Sequence, residues 1–137
     1  MSGQDVGVTT PASLQDAAAL ADAGHWAAAR DAYAVLLARD GSADAQRGLA
    51  RAYWWLGETR RARDHAEHAF AAYEEQGRYA DACLVGVHLS LWYLSNFDNS
   101  AAAHGWLSRA GTSRIAAATG RRRGGSRWSP GTWRATR

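Results

Sequence analysis

A ten-residue pattern recurs 33 positions apart: GHWAAARDAY begins at Gly24 and GETRRARDHA at Gly57. At that offset Gly24 matches Gly57, Ala29 matches Ala62, Arg30 matches Arg63 and Asp31 matches Asp64, and upstream Leu20 meets Tyr53. Self-similarity at such a period marks stacked supersecondary units, each too small to bury its own apolar face. The residue types say what the unit is. Glycine permits a tight turn, and an alanine five positions later lets the second helix approach the first closely. GRYADA, at 77–82, repeats the wording 20 residues further on, so it opens another helix instead of closing a repeat.

Helical spacing fills in the rest. Thr10 and Pro11 form a cap and first-turn pair, and the first helix runs over 12–23 with Leu14, Ala17, Ala18 and Leu20 on one face. A second, over 26–39, presents Trp26, Ala29, Tyr33, Leu36 and Leu37; Gly41 ends it and Ser42 caps the next. The third, over 43–56, carries Leu49, Ala52, Tyr53 and Leu56. Thr59 is placed to cap the fourth, whose face is Ala62, Ala66, Ala69, Phe70 and Tyr73 before Gly77. The fifth, over 78–95, is the most apolar and is expected to be buried on several sides. A turn at 96–99 leads to a sixth over 100–110. Thirty-one alanines and sixteen basic residues, all of them Arg, agree with a helical chain.

Two helices in 33 or 34 residues, with the Gly and Ala so placed, resemble the tetratricopeptide repeat. The usual proline between units is missing, its place taken by Gly41 and Ser42. The expected fold is all-α: a tetratricopeptide-like stack of about three helical hairpins over 12–110. Residues 1–11 are expected to be disordered, and so is the Arg-rich tail over 111–137, apart from a short helical turn at 115–118. Net charge divides at the same place. Residues 1–110 hold nine Arg against thirteen acids, a net −4, and residues 111–137 hold seven Arg and no acid, a net +7. With too few aliphatic residues to offset its ordering entropy, such a tail is expected to stay unfolded.

Several chemistries are excluded. The absence of Lys removes a P-loop lysine, a Schiff base and a lysine general base. Cys83 is the only cysteine, so no intrachain disulfide or thiolate cluster forms, and a lone Cys in an apolar helical run reads as a small buried hydrophobe. The apolar run over 83–94 is short of the ~20 residues that span a bilayer, and the amino terminus carries Asp5 where a signal peptide has positive charge. The expectation is a cytoplasmic chain with no membrane contact. His65 and His68 lie three apart on one helix, but no third ligand is evident and Asp64 and Glu67 beside them mark a solvated face. His25, His88 and His104 have no nucleophile in a recognisable motif. No catalytic residue, cofactor site or metal site is expected, and the chain is read as a non-enzyme.

The stretch LARAYWWLGETRRARDHAEHAFAAYEEQG, 49–77, with ADACLVGVHLSLWYLSNFDNSAAAHGWLSRA, 80–110, resembles the helical-repeat region of LuxR-type transcriptional regulators from actinobacteria. AYWWLG at 52–57, the helix end at 73–77, LSLW at 89–92 and GWLSRA at 105–110 carry the resemblance. It implies a sensing or assembly arm of a regulator whose C-terminal helix-turn-helix binds DNA. No residue here matches that helix-turn-helix, so no operator contact is assigned, and specific DNA binding is not expected of this chain. The composition of the tail is that of an off-frame reading of a GC-rich gene, and the expectation is a truncated or frameshifted relative.

The candidate partner groove rests on Trp54 and Trp55, which point about 100° apart on one helix, so one of them is the more exposed. Trp26, Tyr53, Trp92 and Trp106 are read as core, since aromatics at helical spacing usually pack between hairpins. The expected partner is a protein or peptide, and an exposed apolar patch drawn from residues such as Leu91, Leu94 and Leu107 is expected to favour self-association or marginal stability. The alternative is a basic-tailed nucleic-acid-binding protein, in which Arg121, Arg122, Arg123 and Arg127, near Trp128 and Trp133, contact a polyanion weakly and with strong salt dependence. The repeat makes one prediction directly. Replacing Ala29 or Ala62 with Leu should destabilise the chain by ~1–3 kcal/mol in urea denaturation, and an unchanged midpoint would count against the repeat.

Overall fold

The computed structural model describes residues 13–120. Six α-helices follow one another among them: α1 Leu14–Asp22, α2 Trp26–Asp40, α3 Ala43–Trp55, α4 Thr59–Glu75, α5 Tyr79–Asn96 and α6 Ser100–Thr119. No strand occurs among the described residues. The breaks fall at Gly24, Gly41, Gly57, Gly77 and just past Asn96, as the glycine and asparagine spacing predicts.

One turn is used three times. Gly24, Gly57 and Gly77 have φ of +82°, +83° and +75°, a region that a side chain would strain. The amide after each glycine donates to the carbonyl five residues back: His25 to Leu20 at 2.9 Å, Glu58 to Tyr53 at 2.9 Å and Arg78 to Tyr73 at 2.8 Å. Each glycine amide bonds a carbonyl three residues back, which closes the last turn of the helix. Five residues after each glycine stands an alanine with no exposed surface: Ala29, Ala62 and Ala82. The first two turns join α1 to α2 and α3 to α4. The third, at the shorter spacing, joins α4 to α5 with the same geometry.

The other ends are capped by side chains. Ser42 Oγ accepts from the Ala45 amide at 3.0 Å and starts α3, as expected. Ser13 Oγ accepts from Asp16 at 3.1 Å and starts α1, so that helix begins at Leu14 rather than 12, and the expected Thr10–Pro11 start lies outside the described residues. Thr59 does not cap α4. It is the first helical residue, and the Glu58 carbonyl takes the Ala62 amide. Asn99 Oδ1 accepts from Ala102 at 2.9 Å at the start of α6.

The chain divides into two compact units, 13–69 and 70–120, with the boundary inside α4. The core of the first is built largely from alanines, Ala17, Ala21, Ala29, Ala32 and Ala45, with Tyr33, Leu36 and Leu49. Small residues let the helices come close. Gly48 is the extreme case: a Cβ there would overlap the Tyr33 ring, so α3 crosses α2 at a glycine. The second unit packs Phe70 and Tyr73 of α4 with Ala82, Val85 and Leu89 of α5 and Ala103 and Ala110 of α6. Gly86 repeats the device, since its Cβ would lie 2.9 Å from the Ala110 Cβ and 3.0 Å from the Phe70 ring.

Four further expectations need correction. The helical region does not stop at 110: α6 continues unbroken to Thr119. Its added turns are Ala-rich, and Ser113 is buried there, its Oγ donating to Glu74 Oε2 at 3.2 Å. Averaging charge over the whole of 111–137 hides that local helical preference. Residues 1–12 and 121–137, where the remaining disorder expectations fall, lie outside the described residues. Second, α5 is not covered all round: Leu84, Leu91 and Leu94 are more than half exposed, because its inward face is supplied by Ala82, Val85, Gly86 and Leu89. Third, Trp26, Tyr53, Trp92 and Trp106 are half-buried and not enclosed, although Trp26 and Tyr53 pack against the core of the first unit. Fourth, Cys83 is half-buried at the side of α5, next to exposed Leu84. The apolar patch expected from Leu91, Leu94 and Leu107 is exposed.

The two kinds of helical glycine should respond oppositely. Gly86→Val should cost ~1–3 kcal/mol by overpacking. Gly105, whose Cβ position is open, should gain ~0.5–1 kcal/mol as Ala. Urea midpoints of the two variants check both signs.

Candidate functional site

Three side-chain clusters stand out, and each is set by helix register. In the first unit, α2 begins with Trp26 and α3 ends with Trp55, so the antiparallel pair brings the two indoles together. Their rings stack with centroids 5.6 Å apart and planes 15° from parallel. Arg51, four residues before Trp55 and therefore on the same side of α3, places its guanidinium 5.1 Å from the Trp26 centroid. The result is a layer of Arg51, Trp26 and Trp55, with Trp55 60% exposed. Of the adjacent tryptophans, Trp55 is the open one and Trp54 is half-buried.

A second cluster lies between α3 and the first part of α4. His65 Nδ1 donates to Gln46 Oε1 at 2.7 Å, and its ring stacks on Tyr53 with centroids 5.5 Å apart and planes 12° from parallel. The Arg61 guanidinium lies 5.6 Å from the Tyr53 ring centroid and reaches Glu58 at 3.3 Å. Burial pushes the His65 pKa below the ordinary histidine value of 6.5; nearby His68 and Arg61 push the same way, and Asp64 opposes them. His68 Nδ1 bonds the Asp64 carbonyl at 2.8 Å, so the two histidines are held by separate partners. Among the described residues no three His, Cys, Asp or Glu side chains converge as metal ligands would.

The third cluster belongs to the second unit. Arg109 sits 4.4 Å from the Trp106 centroid and 4.6 Å from that of Phe70, and its guanidinium lies 3.7 Å from Glu74. Phe70 and Trp106 meet edge to face at 5.2 Å. Glu74 also takes the Ser113 hydroxyl. This arrangement ties α6 to the end of α4 and presents little free aromatic surface. Nearby, Gly77, Arg78, Tyr79, Asp81, Ala116 and Ala117 line an open cleft of about 260 Å³, just under the size range of small-molecule sites.

The first cluster has the chemistry of a recognition surface. A rigid, open indole backed by a second indole offers apolar area at little entropic cost, and the adjacent guanidinium can receive a carboxylate. Arg51 and Arg109 lie inside the segments of the resemblance without a role assigned to them there; the usable signal is the spacing, Arg51 to Trp55 at four residues and Trp106 to Arg109 at three. The expected polyanion contacts, Arg121, Arg122, Arg123 and Arg127, lie outside the described residues. No helix among the described residues is long and apolar enough to cross a membrane.

The histidine cluster gives a pH prediction. A histidine whose folded pKa is lowered favours the neutral form in the fold. Its stabilisation is intact above the unfolded value of 6.5 and is lost as pH falls below it. Thermal melts should therefore drop from pH 7 to pH 5, and His65→Gln should flatten part of that drop; an equal drop in the variant would contradict the assignment. Compared with protein-family models, curated proteins and solved structures, the chain finds no match in any of the three.

Proposed function

We propose that the chain is a non-enzymatic protein-interaction or sensing module, tetratricopeptide-like, and akin to the repeat arm of a LuxR-type transcriptional regulator. The observation that carries the interaction reading is the Arg51, Trp26 and Trp55 layer, an open aromatic surface held rigid by stacking. The tetratricopeptide part is supported by the recurring turn, with alanine buried five residues after Gly24 and Gly57 in a 33-residue frame. Kinship with the regulators rests on the sequence resemblance over 49–110. The partner that fits this surface is a protein or peptide segment with an apolar side chain for Trp55 and an acidic one beside it for Arg51. The nucleic-acid reading depends on residues 121–137, and nothing among the described residues favours it.

The test is a displayed random-peptide library panned against the purified chain. Enriched peptides should pair an acidic residue with an aromatic or aliphatic one. Trp55→Ala should weaken their binding by roughly tenfold or more, the loss of an interface hot spot of at least ~1.4 kcal/mol, while the circular-dichroism spectrum stays unchanged. Absence of enrichment, or binding that survives Trp55→Ala, would sink the assignment to this surface.

A further inference from the structure

The α5–α6 hairpin of the second unit carries an uncovered apolar face. From Ala82 to Ser108 the chain has a single charged residue, Asp98. Within that run Leu84, Val87, Leu91 and Leu94 follow at spacings of three, four and three, the pattern of a helix–helix seam. These residues do not serve the hairpin's own interior. Gly86 lies against both Phe70 and Ala110, and Ala82, Val85 and Leu89 are buried along or to one side of that line. At 100° per residue the leucine seam runs down the other side of α5, about 80–160° round from Gly86. α6 is built the same way. Trp106, Arg109 and Ser113 turn toward Phe70 and Glu74 of α4, while Leu107 and Ile115 lie on the opposite side of Ala110. Because the two helices are antiparallel, both open sides face the same way, away from the end of α4. Leu84, Leu91, Leu94, Leu107 and Ile115 are 51–61% exposed.

We propose that this face seats a second copy of the same chain, hairpin against hairpin, as a four-helix arrangement with two-fold symmetry. The seam is self-complementary in spacing: a three-four stripe of leucines is matched by another stripe of the same kind. Its α5 half is also neutral, so a second copy brings no like charge against the run from Ala82 to Asn96; on α6, Arg114 and His104 lie on the same side as Leu107 and Ile115. The size suffices. Two helices side by side, about 20 Å across and 27 Å long, give a footprint of roughly 500 Å² per copy, or about 1,000 Å² for the pair, where specific interfaces begin. The chain's own segment 121–137 is a poor occupant, with six Arg and no Leu, Ile, Val or Met to set into an aliphatic seam. This inference is independent of the Trp55 surface, which lies in the other unit.

Sedimentation of the full chain over a broad micromolar concentration range tests it. The expected result is a mass that rises from one chain to two. Leu91→Glu with Leu94→Glu should raise the dissociation constant by about thirtyfold or more at an unchanged circular-dichroism spectrum, and Trp55→Ala should leave the dimer intact. If the double variant loses its helical signal, Leu84→Gln with Leu107→Gln replaces it, with the same expectation. A wild-type chain that stays single at the highest concentration, or a folded seam variant that pairs as tightly as wild type, overturns the proposal.

Discussion

Three of the helix reversals depend on a backbone conformation that only glycine adopts without strain. At φ near +80°, Gly24, Gly57 and Gly77 stop one helix and send the amide of the next residue back five positions to a carbonyl that would otherwise be left bare. That bond sets where the following helix starts. The start in turn fixes which of its residues meets the preceding helix, and in all three cases this is an alanine with no exposed surface. The spacing of one glycine and one alanine is thus a geometric instruction, not a compositional preference.

Close approach has consequences for everything larger. A core made from alanine, and from glycine at the two tightest crossings, Gly48 and Gly86, holds few big side chains. Among the described residues, Trp26 and Trp55 stack on one another, Trp106 lies beneath Arg109 and Trp92 stacks on His88, none of them fully enclosed. Trp26 and Trp55 with Arg51 form the open surface of the first unit, and Trp106 with Arg109 forms a clasp in the second. The same economy in α5, where small residues face inward, leaves its leucines outside. Interaction surfaces and a small-residue core are therefore two results of one cause.

Much of this was legible in the sequence. The glycines and the Asn96 turn mark the helix breaks because turn chemistry is local, and Ala29 and Ala62 can be placed because the repeat supplies their context. Three features were not legible. The extension of α6 to Thr119 is masked by the Arg-rich composition that follows it, although Ala116, Ala117 and Ala118 favour helix. The glycines at 48 and 86 read as neutral positions within helices; only the crossing partner, Tyr33 or Ala110, shows why no side chain fits. The half-burial of the aromatics depends on the size of the core around them, which helical spacing does not report. At the candidate site the pair Trp54 and Trp55 was visible as a motif, but which indole is open, and the guanidinium that completes the layer, follow from the pairing of α2 with α3.

The central claim is that the three glycine turns, with their buried alanines, hold the scaffold on which these surfaces sit. Native-state amide hydrogen exchange followed by NMR addresses it residue by residue. The amides of His25, Glu58 and Arg78 each close a turn, and those of Ala29, Ala62 and Ala82 each donate to the carbonyl that opens the next helix. All six should exchange far more slowly than in an unfolded peptide, with the three turns matching one another in protection. If the His25, Glu58 and Arg78 amides exchange at unfolded rates while the helix centres stay protected, the turns do not hold the scaffold and the account is wrong.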